Sequence, residues 1–548
     1  MTAAAVAASV VFAPALAQAA DAPAPTAGAH VVQTAPKDKI SSPAFTKYES
    51  PASASQHSQA APGAKTAQQG ADAPAANSGL AVGIAAVGTS AYGIELTTVV
   101  ISDPVSVAVT VNWGDGTSDN FNAFGQSTDT GRKHTYAKLG SYTISVTASD
   151  GSGYFATNTL TMATPGSAYT PYGPTRLLDT RDGTGAPAAK VQPSTSARVK
   201  VGGNAGIPAG VTAVALNVTV TNTTTPGHIK AFAEGGALPE TSNVNFAPGQ
   251  TVPNLVIVPV GANGYVDLYN GGWAPVDLLA DVAGYFTHTA AAGYTAVGPT
   301  RLVDTRDGTG TAQGKVNAVS TISTQVWGTA GVPSGAKAVA LNVTVTNPQE
   351  TGHLTVFPGS QPAPTASNVN FRTGQTVANS VIVPVGADGR IQIRNGAWAP
   401  TDVIVDVVGY YSDNSKSAFL PVTPLRLLDT RRVEDIGGPL DRRNYVYMPL
   451  SVDEPQFTGF VLNATVTNTQ DSGHLTVAPD PNSMTQYNSG TDVRPTKPPT
   501  SSLNWQAGDT VPNLVQANPG VNGIVDFWNA SDGDIDLLVD MFGFYQNN

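Results

Sequence analysis

A hexamer with the pattern RLLDTR or RLVDTR occurs three times and places an aspartate between two arginines. It spans residues 176–181, 301–306 and 426–431, so successive copies are 125 residues apart. Charged residues make up 12% of the chain, about half the share of a typical globular protein. Arginine and aspartate at this spacing can form either a ligand-binding cluster or an ion pair inside the protein.

A second carboxylate recurs near the end of each repeat, inside a strongly apolar segment. The segments are LLADVAGYF with Asp281, VIVDVVGYY with Asp406 and LLVDMFGFY with Asp540. A buried carboxylate needs a paired cation or several hydrogen-bond donors. The most economical partner is an arginine of the hexamer, and paired charges are the usual state of buried ones. We therefore predict three structural ion pairs: Arg181–Asp281, Arg306–Asp406 and Arg431–Asp540.

Aromatic residues in turns are the best candidates for ligand contact. Trp273 in NGGWAP and Trp398 in NGAWAP lie in glycine-rich turns, and Tyr269 and Trp528 share one strand position that Arg394 fills in the middle repeat. Aromatic rings at such places stack on sugar rings in sugar-binding sandwiches. The alternative is that each tryptophan closes the core of its own domain. We take Tyr269, Trp273, Trp398 and Trp528 as candidate ligand-binding residues.

A polar row accompanies one strand of each repeat. In AVALNVTVT, Asn217, Thr219 and Thr221 alternate with apolar residues, and the row recurs in the other two copies. This pattern is typical of the solvated side of an antiparallel sheet. A glycan-binding face is the alternative.

The sequence offers no catalytic constellation, so we predict that the protein is not an enzyme and has no cofactor and no metal. Cysteine is absent, and His228, His353 and His474 occupy one repeat position without a second ligand at metal-binding spacing. A G-x-S-x-G nucleophile elbow is also absent. The net charge of −11 without a basic stretch argues against nucleic acid as a partner.

The three repeats must position these residues. The first (168–289) aligns without a gap with the second (293–414), and the third (418–548) carries an insertion between Pro479 and Asn504. We call them copies one, two and three. About eight short strands separated by Gly, Pro or Asn predict a β-sandwich or jelly roll for each copy. We expect the copies to follow one another as separate beads.

The N-terminal part reads as an export signal and a spacer. Residues 1–19 are apolar and end in small residues, as a signal peptide does, although no Lys or Arg precedes the apolar run. A membrane anchor is the alternative, but the run is short for a span. Residues 20–87 are rich in Ala, Pro and Ser, and we predict a disordered linker. The mature protein is expected to be extracellular or at the cell surface, without a membrane span.

Two resemblances add to this interpretation. The phrases NWGDGT and HTYAKLGSYTISVTASD within residues 88–164 resemble a PKD domain, an immunoglobulin-like sandwich in which Trp113 would be core and Asp115 a turn former. The pattern RLLDTR, NVTVTN, GQTV and DVAGYF resembles repeats of secreted actinobacterial proteins, which occur beside peptidases, glycoside hydrolases and PKD domains. The first resemblance implies a spacer or a protein- or glycan-contacting module, and the second implies surface attachment or accessory binding. Neither supplies a catalytic residue.

The sequence thus predicts an all-β, secreted, non-catalytic protein with an immunoglobulin-like sandwich followed by three larger sandwiches. Weak sites repeated on one chain gain avidity, so we expect a polyvalent binding or adhesion array for polysaccharide or cell-envelope components. A structural spacer and an accessory region of a secreted hydrolase are the alternatives.

Overall fold

The structure is a computed structural model that describes residues 30–31, 42–59, 79–289, 291–432 and 435–548. It confirms the all-β fold class, since the described chain forms strands and a single short α-helix. The predicted signal peptide, residues 1–19, lies outside the described residues, as does much of the predicted linker. Strand β1 (His30–Val31) pairs in parallel with a strand of copy three. Within the described part of the chain, no helix has the length and apolar character needed to span a bilayer.

The N-terminal sandwich packs two antiparallel sheets around a core that contains Trp113 and Tyr136. Residues 47–59 and 81–87 are strands or turns of this domain, so the prediction of a disordered linker over 20–87 is wrong for them. Residues 47–50 and 56–59 add strands to the edges of the two sheets, whereas residues 81–88 form an interior strand whose Val82 and Ile84 lie in the core. The strands are β2 (Lys47–Ser50), β3 (Gln56–Gln59), β4 (Ala81–Gly88), β5 (Gly93–Ile101), β6 (Ser106–Asn112), β7 (Ser118–Phe124), β8 (Ser127–Thr135), β9 (Ser141–Ser149) and β10 (Tyr154–Ala163).

Each copy is a sandwich of two antiparallel sheets of four strands, and the outer sheet of copy three gains β1 as a fifth, parallel strand. Copy one consists of β11 (Ala168–Asp179), β12 (Ser196–Lys200), β13 (Ala213–Thr221), β14 (Gly227–Ala233), β15 (Val244–Phe246), β16 (Val252–Pro259), β17 (Tyr265–Asn270) and β18 (Asp277–Thr287). Its inner sheet has the order β11-β18-β13-β16 and its outer sheet the order β12-β17-β14-β15. The number of strands agrees with the sequence pattern, although β11 begins well before the hexamer.

Copies two and three repeat this topology. Copy two consists of β19 (Gly293–Asp304), β20 (Thr321–Gln325), β21 (Ala338–Thr346), β22 (Gly352–Pro358), β23 (Val369–Phe371), β24 (Val377–Pro384), β25 (Arg390–Asn395) and β26 (Asp402–Ser412). Copy three consists of β27 (Ala418–Asp429), β28 (Tyr445–Pro449), β29 (Phe457–Thr467), β30 (Gly473–Pro479), helix α1 (Met484–Ser489), β31 (Leu503–Trp505), β32 (Val511–Ala517), β33 (Ile524–Asn529) and β34 (Asp536–Gln546). The helix lies in the inserted segment.

The three copies form a ring, so the expectation of separate beads is wrong. Their inner sheets face a common pseudo-threefold axis and share one apolar core. Aromatic rings of neighbouring copies stack there, with Tyr169 on Tyr411 and Tyr294 on Tyr545, each at 4.1 Å between ring centroids. Single backbone bridges close the ring between copies: Ser167–Phe419, Tyr169–Ala292 and Tyr294–Ser417. A core shared in this way cannot be buried by one copy alone.

The ring has two different ends. At one end β13, β21 and β29 begin and β18, β26 and β34 finish. The N-terminal sandwich packs there: the amide N of Ala91 donates to Gln546 Oε1 at 2.9 Å, and the Asn548 side chain donates to the carbonyl of Tyr136 at 3.0 Å. We call this the docked end. The opposite end, which we call the free end, carries the turns between β17 and β18 and between β25 and β26.

Candidate functional site

The hexamer forms a buried ion-pair network in every copy, but the predicted pairs are wrong. In copy one, Arg176 donates from Nε and Nη2 to the carboxylate of Asp281 at 2.7 and 3.1 Å, and from Nη1 to Asp179 at 2.7 Å. Arg181 instead binds Asp179 through Nε at 2.9 Å and Nη2 at 2.7 Å. The other copies repeat the pairs, since Arg301 and Arg426 bind Asp406 and Asp540, while Arg306 and Arg431 bind Asp304 and Asp429. In copy two, Arg301 Nη2 donates to the carbonyl of Pro499 instead of to Asp406.

A β-bulge explains the exchange of partners. Arg176 lies directly opposite Asp281 in the register of β11 and β18, but the next pair is Leu178 with Ala280. The extra residue lets Leu177 and Leu178 both enter the core and brings Asp179 to the side of Arg176. Under strict alternation, Asp179 and Arg176 would lie on opposite faces of the strand. Arg181 comes after the strand has ended at Asp179, so it lies in a turn, away from Asp281.

The network is a structural clamp between the first and last strands of each copy. Burial raises the pKa of Asp281, while the hydrogen bonds of Arg176 oppose that shift. The hydrogen bonds of Arg181 lower the pKa of Asp179 to about 2. Both carboxylates are therefore held by arginine donors inside the protein. This geometry fits the interpretation of the hexamer as a structural element.

The polar row is buried at the contacts between copies, so both its solvated and its glycan-binding interpretation are wrong. Asn217 of copy one donates to the carbonyl of Ser367 in copy two at 2.7 Å, and Asn463 of copy three donates to Ser242 of copy one at 3.0 Å. Asn342 makes the equivalent bond from copy two to Ser501 of copy three. The polar row thus lies in an interface between sheets. The alternating sequence pattern would be the same if the row faced solvent.

A second layer of asparagines closes the same cycle nearer the axis. Asn379 donates to Asn217 Oδ1 at 3.0 Å, Asn513 to Asn342 at 3.1 Å and Asn254 to Asn463 at 3.2 Å. The side-chain oxygens of the same three donors accept backbone amides of the preceding copy in the ring. Because buried amides tolerate few orientations once fully bonded, this network fixes how the copies are rotated against each other.

Two of the candidate aromatic residues are fully presented to solvent at the free end. Trp273 is 85% exposed and Trp398 is 81% exposed, each in the turn that leads into the last strand of its copy. The interpretation of these two side chains as caps of a core is therefore wrong. Asp532 takes the equivalent position in copy three and pairs with Arg443.

The other two candidates lie on the outer sheets. Tyr269 is half-buried between its register neighbours Ser196 and Lys230. Trp528 is 5% exposed and stacks on Tyr445 at 4.3 Å. As a buried residue Trp528 cannot serve as a ligand platform, so that candidate is wrong.

The insertion of copy three explains the burial of Trp528, because it folds over the outer sheet of its own copy. Tyr487 of helix α1 stacks on Tyr447 at 3.8 Å, and its hydroxyl donates to Asp480. Burial and the neighbouring Asp480 raise the pKa of Asp526 to about 9. The outer face of copy three is thus occupied by its own chain.

A cavity of about 330 Å³ lies on the pseudo-threefold axis at the free end. All three copies line it through equivalent residues of the segment that reads GQTV in copies one and two. We call it the axial cavity. Repetition of GQTV is the signal in the sequence, but the cavity forms only when the ring closes, which that repetition does not predict. Among the described residues, no group of three or more His, Cys, Asp or Glu side chains is arranged to hold a metal ion.

Comparison with known proteins gives no relative of the whole chain. No family model matches it, and no curated protein matches it. Among solved structures, the tandem CBM22-1–CBM22-2 domain of Xyn10C from Paenibacillus barcinonensis is 11% identical with a TM-score of 0.14, covering 44% of this chain and 100% of that one. A chain of the Sulfolobus Turreted Icosahedral Virus is 10% identical with a TM-score of 0.15, covering 66% of this chain and 86% of that one. The tetra-tandem repeat in the extending region of a large adhesion protein is 14% identical with a TM-score of 0.12, covering 84% and 93%.

Proposed function

We propose that this protein is a non-catalytic, extracellular binding protein that holds carbohydrate or cell-envelope ligands at the free end of its ring. The observation that carries the proposal is the exposure of Trp273 and Trp398 on equivalent turns of neighbouring copies. An indole left in water forgoes a large favourable burial energy. Two exposed indoles at one repeat position therefore favour a ligand-contacting surface over two unrelated exposed side chains.

The architecture supports the proposal in two ways. The N-terminal sandwich is docked at the opposite end of the ring, so it leaves the free end unobstructed. The asparagine network and the shared core hold the copies in one arrangement, so the two indoles keep a fixed separation. Two weak contacts at a fixed separation on a repetitive polymer add their energies with little further entropic cost.

The test is retention of the full chain on insoluble polymers: cellulose, chitin and bacterial cell-wall polysaccharide. We expect retention on at least one polymer and a severalfold loss in the double variant Trp273→Ala/Trp398→Ala. Its melting temperature should stay unchanged, since exposed side chains contribute little to stability. Phe124→Ala is the matched control, because Phe124 is an exposed aromatic residue on the N-terminal sandwich.

Two outcomes would contradict the proposal. Equal retention of the double variant and the wild type would exclude the tryptophans as platforms. Absence of retention on every polymer would favour a structural spacer.

A further inference from the structure

The axial cavity is a site that exists once per chain, although it is built from three copies. Its walls are strands β16, β24 and β32, which run from the rim into the ring. Its lining includes threefold sets, such as Asn245, Asn370 and Asn504, and it extends further over strands β22 and β23 of copy two. Its volume of about 330 Å³ lies at the lower end of the range for small-molecule sites.

The rim offers amide donors. The side-chain oxygens of Gln250 and Gln375 accept the backbone amides of Ala247 and Arg372, at 2.8 and 3.0 Å. The corresponding nitrogens have no protein partner among the described residues. Asn370 likewise makes no side-chain hydrogen bond to the described chain. Amide groups on several sides of a cavity suit a ligand that carries several hydroxyl acceptors and donors.

The charges of the lining residues nearly cancel. Arg372 and Asp509 have opposite signs, and Arg372 is engaged with the carbonyl of Gly249 at 2.7 Å. Burial lowers the pKa of His353, the remaining titratable residue of the lining, so it stays neutral. A phosphate or a sugar acid would require an excess of cations that the lining does not supply. A neutral ligand fits the charges better.

The deeper wall is apolar. Beyond the amides, the strands present Val252, Val377 and Val511, followed by Pro253, Ala378 and Pro512. A sugar ring has apolar C–H faces and a polar edge of hydroxyls, which matches an apolar wall below a rim of amides. We propose that the axial cavity binds the terminal unit of a neutral oligosaccharide. This inference rests on the proposed function and names the ligand class of a second contact at the same free end.

The experiment is calorimetric titration of the full chain with cellobiose, lactose, maltose and N,N′-diacetylchitobiose, beside glucuronic acid and glucosamine as charged probes. We expect at least one neutral disaccharide to bind with a stoichiometry of one per chain. Asn370→Trp should abolish binding by filling the cavity, and Asn370→Ala should weaken it severalfold by removing one amide. Asn414→Trp and Asn414→Ala are the matched controls, because Asn414 is exposed in a turn outside the cavity. Melting temperatures identify any variant that fails to fold.

Several outcomes would overturn the inference. These are no binding by any neutral disaccharide, a stoichiometry of two, tighter binding of a charged probe, or binding that both Asn370 variants leave unchanged. The double variant Trp273→Ala/Trp398→Ala should lose retention on polymers while it keeps the titration with the disaccharide. If polymer retention depends on the tryptophans but the titrations show no binding, the proposed function stands and the axial site fails. If a neutral disaccharide binds in the titration but the chain is not retained on any polymer, the axial site stands and the proposed function fails.

Discussion

The observed partners of Arg176 and Arg181 predict how much each arginine contributes to the free energy of unfolding. Arg176 gives two hydrogen bonds to Asp281, which is 3% exposed, and one to Asp179. Truncation to alanine leaves the buried Asp281 without an arginine donor, whereas Asp179 keeps Arg181. Removal of one partner of a buried pair costs about 3–5 kcal/mol, so we expect Arg176→Ala to lower the free energy of unfolding by that amount.

Arg181→Ala is the matched control within the same network. The Arg181 side chain is 47% exposed, and its partner Asp179 keeps the hydrogen bond from Arg176. Exposed pairs contribute about 0.2–1 kcal/mol, so this variant should cost about 1 kcal/mol or less. The two substitutions remove the same chemical group five positions apart, and the predicted pair Arg181–Asp281 would give the opposite order of cost.

The assay is urea denaturation of the full chain, with the transition of the ring followed by near-ultraviolet circular dichroism. The wild type and both variants are compared at matched concentration. If Arg181→Ala lowers the free energy of unfolding as much as Arg176→Ala does, Arg176 is not the main partner of the buried carboxylate. The same holds if Arg176→Ala leaves the free energy of unfolding unchanged.

The pH dependence provides a second check on Arg176→Ala. Burial raises the pKa of Asp281, and the Arg176 hydrogen bonds oppose that shift. Without Arg176 the pKa rises further, so the folded variant takes up a proton more readily than the unfolded chain does. Stability from such a group is present at low pH and is lost as pH rises through the folded-state pKa. The deficit of the variant should therefore be smaller at about pH 5 than at about pH 8, and a deficit independent of pH would count against a buried, unpaired carboxylate.

Three further predictions concern the packing between the copies and the outer sheet of copy three. Residues 168–289 expressed alone should form a trimer or aggregate, because one copy exposes its share of the axial core; a stable monomer in light scattering would contradict the shared core. Asn379→Ala should lower the free energy of unfolding by about 1–3 kcal/mol for each buried group left without its partner, which urea denaturation against Asn414→Ala would measure. Asp526→Asn should stabilise copy three, relative to the wild type, progressively more as pH rises from about 4 to about 9. Burial raises the pKa of Asp526 to about 9, and the amide mimics the protonated acid. Thermal melts of variant and wild type that keep the same difference across that range would contradict this prediction.

The strands and the need for an ion pair both follow from local residue patterns. Alternation of period two and turn residues place eight strands in each copy, since both signals act over a few neighbouring residues. A lone aspartate in the apolar segment around Asp281 requires a cation wherever the strand lies, so an arginine of the hexamer was predictable as its partner. Its identity was not, because a single bulge after Arg176 changes which side chains share a face.

The tertiary structure alone decided which surfaces are exposed. The row beginning at Asn217 has the same alternation whether it faces water or another sheet, and only closure of the ring buries it. Trp273 and Trp528 lie near the ends of equivalent outer-sheet strands in copies one and three. Trp273 is exposed to solvent, whereas Trp528 is buried beneath the insertion of copy three. Burial depends on residues distant in the chain, and the axial cavity exists only where three copies meet. Local pattern determines the elements, whereas long-range packing determines which of their faces can bind a ligand.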